Sequence, residues 1–265
     1  MELFGMNSTT MNKNWNQCGF TLMELMVAIG ISILVSLAVF QTFESQQKSY
    51  IIQERTVESQ QTLRSLLIFM ENDIRMAGYD PNRTGNFGIT TLEANQLTFT
   101  MDDDSGGTTT INYELYDSDG DGENKALRRT IGGSAIAYHV DDLQFAYAFD
   151  SDGDDALDTD GGQIIWAIPE GTAPNRDWKN LDTNNDGNID VGDTAGGTLV
   201  TPAIPVDEDD VRAVRIWVMV RASNTDGSYS ESKTYVVGAN RLTNPTDGYR
   251  RKLGEAIIKL RNMGL

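Results

Sequence analysis

An uninterrupted apolar run near the N-terminus, GFTLMELMVAIGISILVSLAVF, constrains this chain more than any other feature. The 21 residues from Phe20 to Phe40 include one charged residue, Glu24. As a helix rising about 1.5 Å per residue, this segment spans about 31 Å, close to the roughly 30 Å hydrocarbon core of a bilayer. A secretory signal peptide carries its apolar segment before the cleavage site, whereas here the small residue Gly19 precedes it. The run therefore predicts a membrane-spanning helix that a cut after Gly19 would leave in the protein.

The helical pattern continues beyond the apolar run and becomes amphipathic. Apolar residues recur at the spacing of one helix face at Leu63, Leu66, Leu67, Met70, Ile74 and Ala77. No proline interrupts this region, and Gly78 followed by Pro81 supplies the first strong helix stop. The sequence thus predicts one helix over residues 20–77, of which residues 20–40 span a membrane.

After this helix the chain changes to short strands separated by Gly, Asp and Asn clusters. Strands are predicted around Ile111, Tyr113 and Leu115, around Leu143, Phe145, Tyr147 and Phe149, around Val214, Ile216, Val218 and Val220, in QLTFT, ALRRTI, QIIWAI and KTYVVG, and in the C-terminal YRRKLGEAIIKLRNMGL. No helix-length segments separate them, which favours antiparallel pairing. The predicted fold class is α+β: a long N-terminal helix, with a membrane half and an amphipathic half, packed on an antiparallel β-sheet domain with Asp/Gly-rich loops over residues 78–265.

Charge and composition argue against several classes of function. The formal net charge is -18, and residues 100–210 hold 26 Asp and Glu against 5 Lys and Arg. An acidic surface repels the phosphate backbone, so nucleic acid is not an expected partner. Cys18 and His139 are each the only residue of their type, which leaves no Cys-rich zinc site, and no nucleophile, phosphate-loop or metalloprotease motif is present. We therefore do not expect an enzyme.

The junction at the start of the apolar run, Gly19-Phe20-Thr21-Leu22-Met23-Glu24, resembles the processing site of type IV prepilins and type II secretion pseudopilins. In that superfamily a prepilin peptidase of the inner membrane cuts after the Gly and N-methylates the new first residue. The resemblance implies a leader over residues 1–19, methylation of Phe20, and Glu24 as the fifth residue of the mature chain. Met11 is an alternative start that would give a shorter leader of net positive charge.

Glu24 poses a physical problem because a carboxylate inside hydrocarbon costs a few kcal/mol. A position near the helix N-terminus suits its negative charge. Within a single subunit, however, we expect it to be unpaired. The resemblance implies that its partner is the N-terminal amine of a neighbouring subunit in a filament, so that residues 20–40 change from membrane anchor to filament core.

Four further segments are similar to the PilW branch of minor pilins, which is related to the J-type minor pseudopilin: MENDIRMAGYD, YELYDSDGDGENKALRR, VRAVRIWVMVRAS and YRRKLGEAIIKLRNMGL. The resemblance implies a low-abundance subunit of a tip complex that primes pilus assembly and can display a large adhesin. Its implied partners are other minor pilins and the major pilin, contacted through the N-terminal helix. Its implied location is the bacterial inner membrane, with the C-terminal domain in the periplasm, and afterwards the extracellular pilus.

Two alternatives to a pilus subunit stay open at this point. One is a minor pseudopilin of a type II secretion system, which shares the same processing chemistry. The other belongs to a different class: a calcium-dependent surface binding protein held singly in the membrane.

The acidic loops predict structural Ca²⁺, because alternating Asp and Asn side chains on a tight turn supply the hard oxygens that this ion prefers. The most complete pattern is DTNNDGNIDVGD, with candidate ligands Asp182, Asn184, Asp186, Asn188, Asp190 and Asp193. It has no evident flanking helices. A second loop offers Asp117, Asp119, Asp121 and Glu123 but has Arg128 at its twelfth position. A third, from Asp150, is the least complete. All three are also ordinary turn sequences.

Overall fold

The N-terminal helix, α1, begins at Leu22 and ends at Ile74. The computed structural model describes residues 19–83, 85, 87–130, 133–171, 176–200 and 206–263. The predicted limits, residues 20–77, are too wide at both ends. At the start, the Thr21 hydroxyl accepts a hydrogen bond from the backbone N–H of Glu24, so Thr21 is the cap and the first helical residue follows it.

At its C-terminal end the helix tightens before it stops. The N–H groups of Met76 and Ala77 donate to the carbonyl oxygens of Asp73 and Ile74, three residues back instead of four. Gly78 then takes a φ of 71°, a left-handed conformation that residues with a Cβ rarely adopt. The predicted stop at this glycine is therefore correct, although the regular helix ends one turn earlier.

Contacts within the chain divide it into two compact units, residues 1–52 and residues 53–265. In the first unit, every described residue from Gly19 to Ile51 is exposed. In the second unit, α1 buries one face formed by Ser59, Leu63, Leu66, Met70 and Ile74. One helix thus has a half that is exposed all round and a half with a buried face.

Beyond the helix the described chain forms fifteen strands and two short 3₁₀ turns. The strands are β1 (Ile89–Leu92), β2 (Gln96–Asp102), β3 (Thr108–Tyr116), β4 (Ala126–Arg128), β5 (Ala135–Tyr138), β6 (Val140–Phe149), β7 (Thr159–Asp160), β8 (Gln163–Ile164), β9 (Ala167–Glu170), β10 (Asp177–Asn180), β11 (Thr198–Val200), β12 (Val211–Arg221), β13 (Thr234–Val237), β14 (Asn240–Thr243) and β15 (Arg251–Lys259). The 3₁₀ turns are Glu208–Asp210 and Arg261–Met263.

The strands build two large sheets, and every pairing is antiparallel among the described residues. The five-stranded sheet has the order β1-β2-β3-β4-β5, and the six-stranded sheet has the order β11-β10-β9-β6-β12-β15. Two hairpins, β7-β8 and β13-β14, stand apart from them. The predicted α+β fold class is confirmed.

One predicted strand, QIIWAI, is wrong as a single element. Its first two residues form β8 and pair with β7, whereas the strand that starts at Ala167 pairs with β6 and β10. The two residues between them bond elsewhere: the N–H of Ile165 donates to Asp158, and the carbonyl of Trp166 accepts from Leu181. The chain therefore changes sheets within a continuous apolar run.

A first hydrophobic core fills the space between the second half of α1 and both large sheets. Met70 from the helix, Phe99 from the five-stranded sheet, and Phe145 and Ile216 from the six-stranded sheet are all completely buried in it. The helix is also tied to the five-stranded sheet by charge, because Asp73 accepts hydrogen bonds from Tyr113 Oη at 2.5 Å and from Arg129 Nε at 2.6 Å.

A second core covers the opposite face of the six-stranded sheet. It contains Trp217 and Met219 of β12, together with Trp166, Tyr235 and Ile189 from the surrounding loops and the β13-β14 hairpin. The alternating residues Val214, Ile216, Val218 and Val220, from which this strand is predicted, account for one buried face of β12. Trp217 and Met219 on the other face are buried as well, by loops and the β13-β14 hairpin. Both faces of β12 are thus shielded from solvent.

Candidate processing junction and acidic loops

The predicted processing junction lies just before α1. Gly19 and Phe20 are not helical, and the Phe20 side chain is 91% exposed. An accessible, non-helical segment of this kind is what a peptidase needs to reach a backbone bond. The rest of the predicted leader, including Met11 and Cys18, lies outside the described residues.

Glu24 has hydrogen-bond partners within its own chain, although none of them is a cation. Its carboxylate accepts hydrogen bonds from Thr21 N at 2.9 Å and from Thr21 Oγ1 at 3.1 Å, while Glu24 N donates to the same hydroxyl at 3.2 Å. This is a reciprocal capping box, and the Thr-x-x-Glu spacing that specifies it is readable in the sequence. Within the described chain, Glu24 forms no ion pair, so its charge is solvated by dipoles and not neutralised.

The helix surface around this carboxylate is apolar on every side. By length and composition α1 can cross a membrane, and none of the residues in its apolar 18-residue stretch is buried within the chain. Exposed side chains include Leu22, Met26, Leu34 and Phe40, each more than half exposed. Isolated exposed apolar residues are ordinary, but a continuous apolar cylinder is not stable in water. This surface requires a cover from outside the chain.

The first acidic loop, residues 182–193, connects β10 to β11, so it has strands on both sides, as expected for a loop without flanking helices. Asp182 and Asp193 are buried. Asp182 accepts hydrogen bonds from Gly187 N at 2.8 Å and Asp186 N at 3.2 Å, and Asp193 accepts from Thr183 N at 2.7 Å. Backbone amides thus hold both end carboxylates of the loop.

The remaining candidate ligands of this loop, Asn184, Asn188 and Asp190, are exposed. Ile189, which lies between two of them, is buried and anchors the loop in the second core. Asp186 accepts hydrogen bonds from Asn188 N at 2.8 Å and from the Asn184 side chain at 3.1 Å, and backbone donation from Asn188 lowers its pKa.

Carboxylate oxygens converge in threes, all within 4.8 Å of one another, in two other loops of the described chain: Asp117, Asp119 and Asp121, and Asp150, Asp152 and Asp158. In the first trio, the N–H groups of Gly122 and Gly120 lower the pKa of Asp117 and aim its carboxylate inward. Glu123, predicted as a fourth ligand, instead forms an ion pair with Lys125.

The second trio lies in the third predicted loop, the one that begins at Asp150, and it includes two residues that were not named as ligands, Asp152 and Asp158. Asp150 is buried, and the N–H of Asp158 donates to Phe149 at 2.9 Å, which closes the loop and brings its two ends together. Asp158 also accepts from the Ser151 hydroxyl at 2.5 Å. The twelve-residue calcium pattern does not contain this closure, so spacing indicates the loop but does not bring Asp158 together with Asp150 and Asp152.

Three features together are those of the type IV pilin class. A Gly-Phe junction precedes an apolar helix, Glu24 is the fifth residue after Gly19, and the helix continues into an amphipathic half that packs on antiparallel sheets. A family model described as "Prokaryotic N-terminal methylation motif" matches residues 16–40. A second, "Type IV Pilus-assembly protein W", matches residues 98–262, more than half of the chain. The chain therefore belongs to the type IV pilus-assembly protein W family, which confirms the resemblance drawn from the sequence.

One similar solved structure is a type IV-like pilin from Thermus thermophilus, with 11% sequence identity and a TM-score of 0.42; the match covers 77% of this chain and 97% of that one. A search of curated proteins gives no match.

Proposed function

We propose that this protein is a minor pilin that a prepilin peptidase cuts between Gly19 and Phe20, that is N-methylated on Phe20, and that then joins a tip complex priming type IV pilus assembly. The observation that carries the proposal is the exposed, apolar stretch of α1 from Leu22 to Phe40, with the carboxyl group of Glu24 near its start. The family match supports a pilus role over the type II secretion alternative, in which pseudopilins would be its partners.

In this proposal the exposed half of α1 is surrounded by two environments in succession. The lipid of the inner membrane surrounds it first, with residues 53–265 in the periplasm. The helices of other minor pilins and of the major pilin replace the lipid on assembly, and a tip adhesin is a further expected partner. The capping box holds the Glu24 carboxylate at the end of the helix, one turn from Phe20, where the new amine of a neighbouring subunit can neutralise it.

The test separates the charge of Glu24 from its capping role. Glu24→Gln keeps an acceptor for the Thr21 N–H but removes the charge, whereas Glu24→Ala removes both. We expect normal cleavage of both variants and a drop in incorporation into pili of roughly tenfold or more for both, the factor that corresponds to about 1.4 kcal/mol. Wild-type incorporation of Glu24→Gln would show that the cap, and not the charge, is what assembly uses.

We also propose that the acidic loops hold structural Ca²⁺. The support is the chemistry of the donors, since two carboxylate trios converge and carboxylate oxygens are the hard ligands this ion takes. The loop from Asp182 to Asp193 has the most complete sequence pattern, but among the described residues its carboxylates do not converge in such a trio. Such an ion would offset carboxylate repulsion in loops that no disulfide can link. These groups serve folding and not catalysis.

Thermal unfolding of the full chain in detergent, with Ca²⁺ and with a chelator, tests this second proposal. A ligand that binds only the folded state must raise the unfolding temperature. Asp121→Asn should reduce the Ca²⁺-dependent shift, while Asp177→Asn, on an exposed strand position outside the acidic loops, should preserve it. An unchanged unfolding temperature on chelation would rule out all three loops.

A further inference from the structure

The outer strands of the two large sheets differ in how well they could accept another strand. In the five-stranded sheet, β1 and β5 have four residues each, and the register of each with its neighbour is shifted by an irregularity. In the six-stranded sheet, β11 has three residues. By contrast, β15 pairs with β12 over nine consecutive residues without a break. Short or bulged edges resist further pairing, and a long regular edge invites it.

Backbone hydrogen bonds to β12 come from every second residue of β15, and this alternation shows which backbone groups are free to pair with another strand. Leu260 N donates to Arg212, and Ala222 N donates to Arg250, so even-numbered residues of this strand face β12. In an antiparallel ladder the alternate residues point their N–H and C=O groups away from that neighbour. The odd-numbered residues from Leu253 to Lys259 therefore present a row of backbone groups that no strand pairs within the described chain.

Side chains along this edge are basic around an apolar centre. Lys252, Lys259 and Arg261 form no ion pair among the residues that the structure describes, although the protein has a net charge of -18. Between them Ile257 is 53% exposed, and Glu255 is already paired with Arg215 at 3.1 Å. The unneutralised charges on this edge are thus positive.

A groove of about 830 Å³ borders the same strand. Its lining includes β15 from Arg251 to Glu255, Tyr235 of β13, and the carboxylates of Asp190 and Glu231, of which Glu231 already accepts hydrogen bonds from two tyrosine hydroxyls. The Tyr235 hydroxyl lies 3.4 Å from the carbonyl oxygen of Arg251, which closes the edge at this end. The available edge therefore begins at Leu253, and the groove lies over the adjoining face of the sheet, since Trp217 of β12 also lines it.

We propose that β15 accepts an extended acidic segment of another protein as a seventh strand of the six-stranded sheet. Backbone groups of the odd-numbered residues would supply the hydrogen bonds, and carboxylates opposite Lys252 and Lys259 would supply the selectivity. A second copy of this chain fits less well, because each copy brings its whole acidic body to the contact. Lysines on an edge strand can also serve only to prevent aggregation, and the test must distinguish that role from the binding of an added strand. The inference does not depend on cleavage or filament assembly.

The probe is a nine-residue peptide with Glu at positions two and nine, Val at four and seven, and Thr elsewhere, designed to lie antiparallel opposite residues 260 to 252. Binding to the full chain in detergent is measured by fluorescence anisotropy. Exchange of Glu for Lys in the peptide should weaken binding roughly tenfold or more. Amide hydrogen exchange should show new protection at Leu253, Glu255, Ile257 and Lys259, and unchanged protection at the even-numbered residues.

Ile257→Pro removes one outward N–H from an edge position where proline is tolerated, and should abolish binding. Ile257→Thr keeps that N–H and is the matched control, which should still bind. If the proline variant does not fold, the double variant Lys252→Glu, Lys259→Glu provides the test. It should bind the peptide that carries Lys in place of Glu more tightly than the original peptide. Equal binding of both peptides, binding that survives the proline, or a dimer of this chain that the proline breaks would each overturn the proposal.

Discussion

The two halves of α1 share one backbone conformation but differ in what covers them. Up to Ile51 every described residue is exposed, and between Leu22 and Phe40 the only charged side chain is that of Glu24. From Gln53 onward the helix buries a single stripe against its own sheets and turns polar residues outward. The second half of α1 is thus covered by its own chain, whereas the first half requires a cover from outside it.

Truncating one methionine in each half should give the largest contrast. Met70 is completely buried in the first core, so Met70→Ala should lower the free energy of unfolding by about 2–5 kcal/mol through lost burial and a cavity. Met26 is 63% exposed, and Met26→Ala should change it by less than about 0.5 kcal/mol. Denaturant titration of the full chain in detergent, followed by Trp fluorescence, measures both.

Equal losses for the two methionine variants would break the comparison, because they would mean that the first half is also packed within the chain.

A polar contact should show the same contrast on a smaller scale within the second half. Asp73 faces Tyr113 and Arg129, and Asp73→Asn should cost about 1–3 kcal/mol because it weakens charge-assisted hydrogen bonds on partly buried donors. Glu71, two residues away, pairs with Arg75 on the exposed side, and Glu71→Gln should cost about 0.3–0.5 kcal/mol. The same denaturant titration checks the ranking, and a larger loss for Glu71→Gln would contradict it.

Much of this architecture is predictable from periodicity. Spacings of three and four place Leu63, Leu66, Met70 and Ile74 on one face, and alternation locates the long strands. The limits arise where a strand is covered on both sides. Trp217 in β12 is buried by loops and a hairpin that are distant in sequence. The continuous apolar run from Ile216 to Val220 is typical of a strand covered on both faces, but it does not show which segments supply the cover.

The candidate sites divide in the same way. The junction at Gly19 and the cap formed by Thr21 and Glu24 depend on residues within one turn, so sequence spacing specifies them. The trio that includes Asp152 and Asp158 depends on a loop closed by a backbone hydrogen bond from Asp158 to Phe149, which spacing does not show. Likewise, the availability of the β15 edge depends on strand order across the whole sheet.

Acid should weaken the second unit through Glu231, and this is the smallest expected effect. Hydrogen bonds from the hydroxyls of Tyr229 and Tyr235 lower the pKa of Glu231 to about 2, from an ordinary value of 4.5. Because the folded-state pKa is depressed, the stabilisation is present above the ordinary value and is lost as pH falls from 4.5 through about 2. Carboxyl carbon NMR titration should show that Tyr229→Phe raises the pKa of Glu231.

Tyr138→Phe serves as the control for this titration, since Tyr138 is exposed and does not contact Glu231. An unchanged Glu231 titration in Tyr229→Phe would mean that the hydroxyl contact is absent in solution.

The central claim is that the exposed half of α1 begins at a processed N-terminus built for assembly. The most direct measurement is the intact mass of the chain after co-expression with a prepilin peptidase, followed by sequencing of its N-terminal peptide. The account predicts a chain that starts at Phe20 and carries one added methyl group on its amine. An uncut chain, or a cut at any bond other than the one between Gly19 and Phe20, would contradict it.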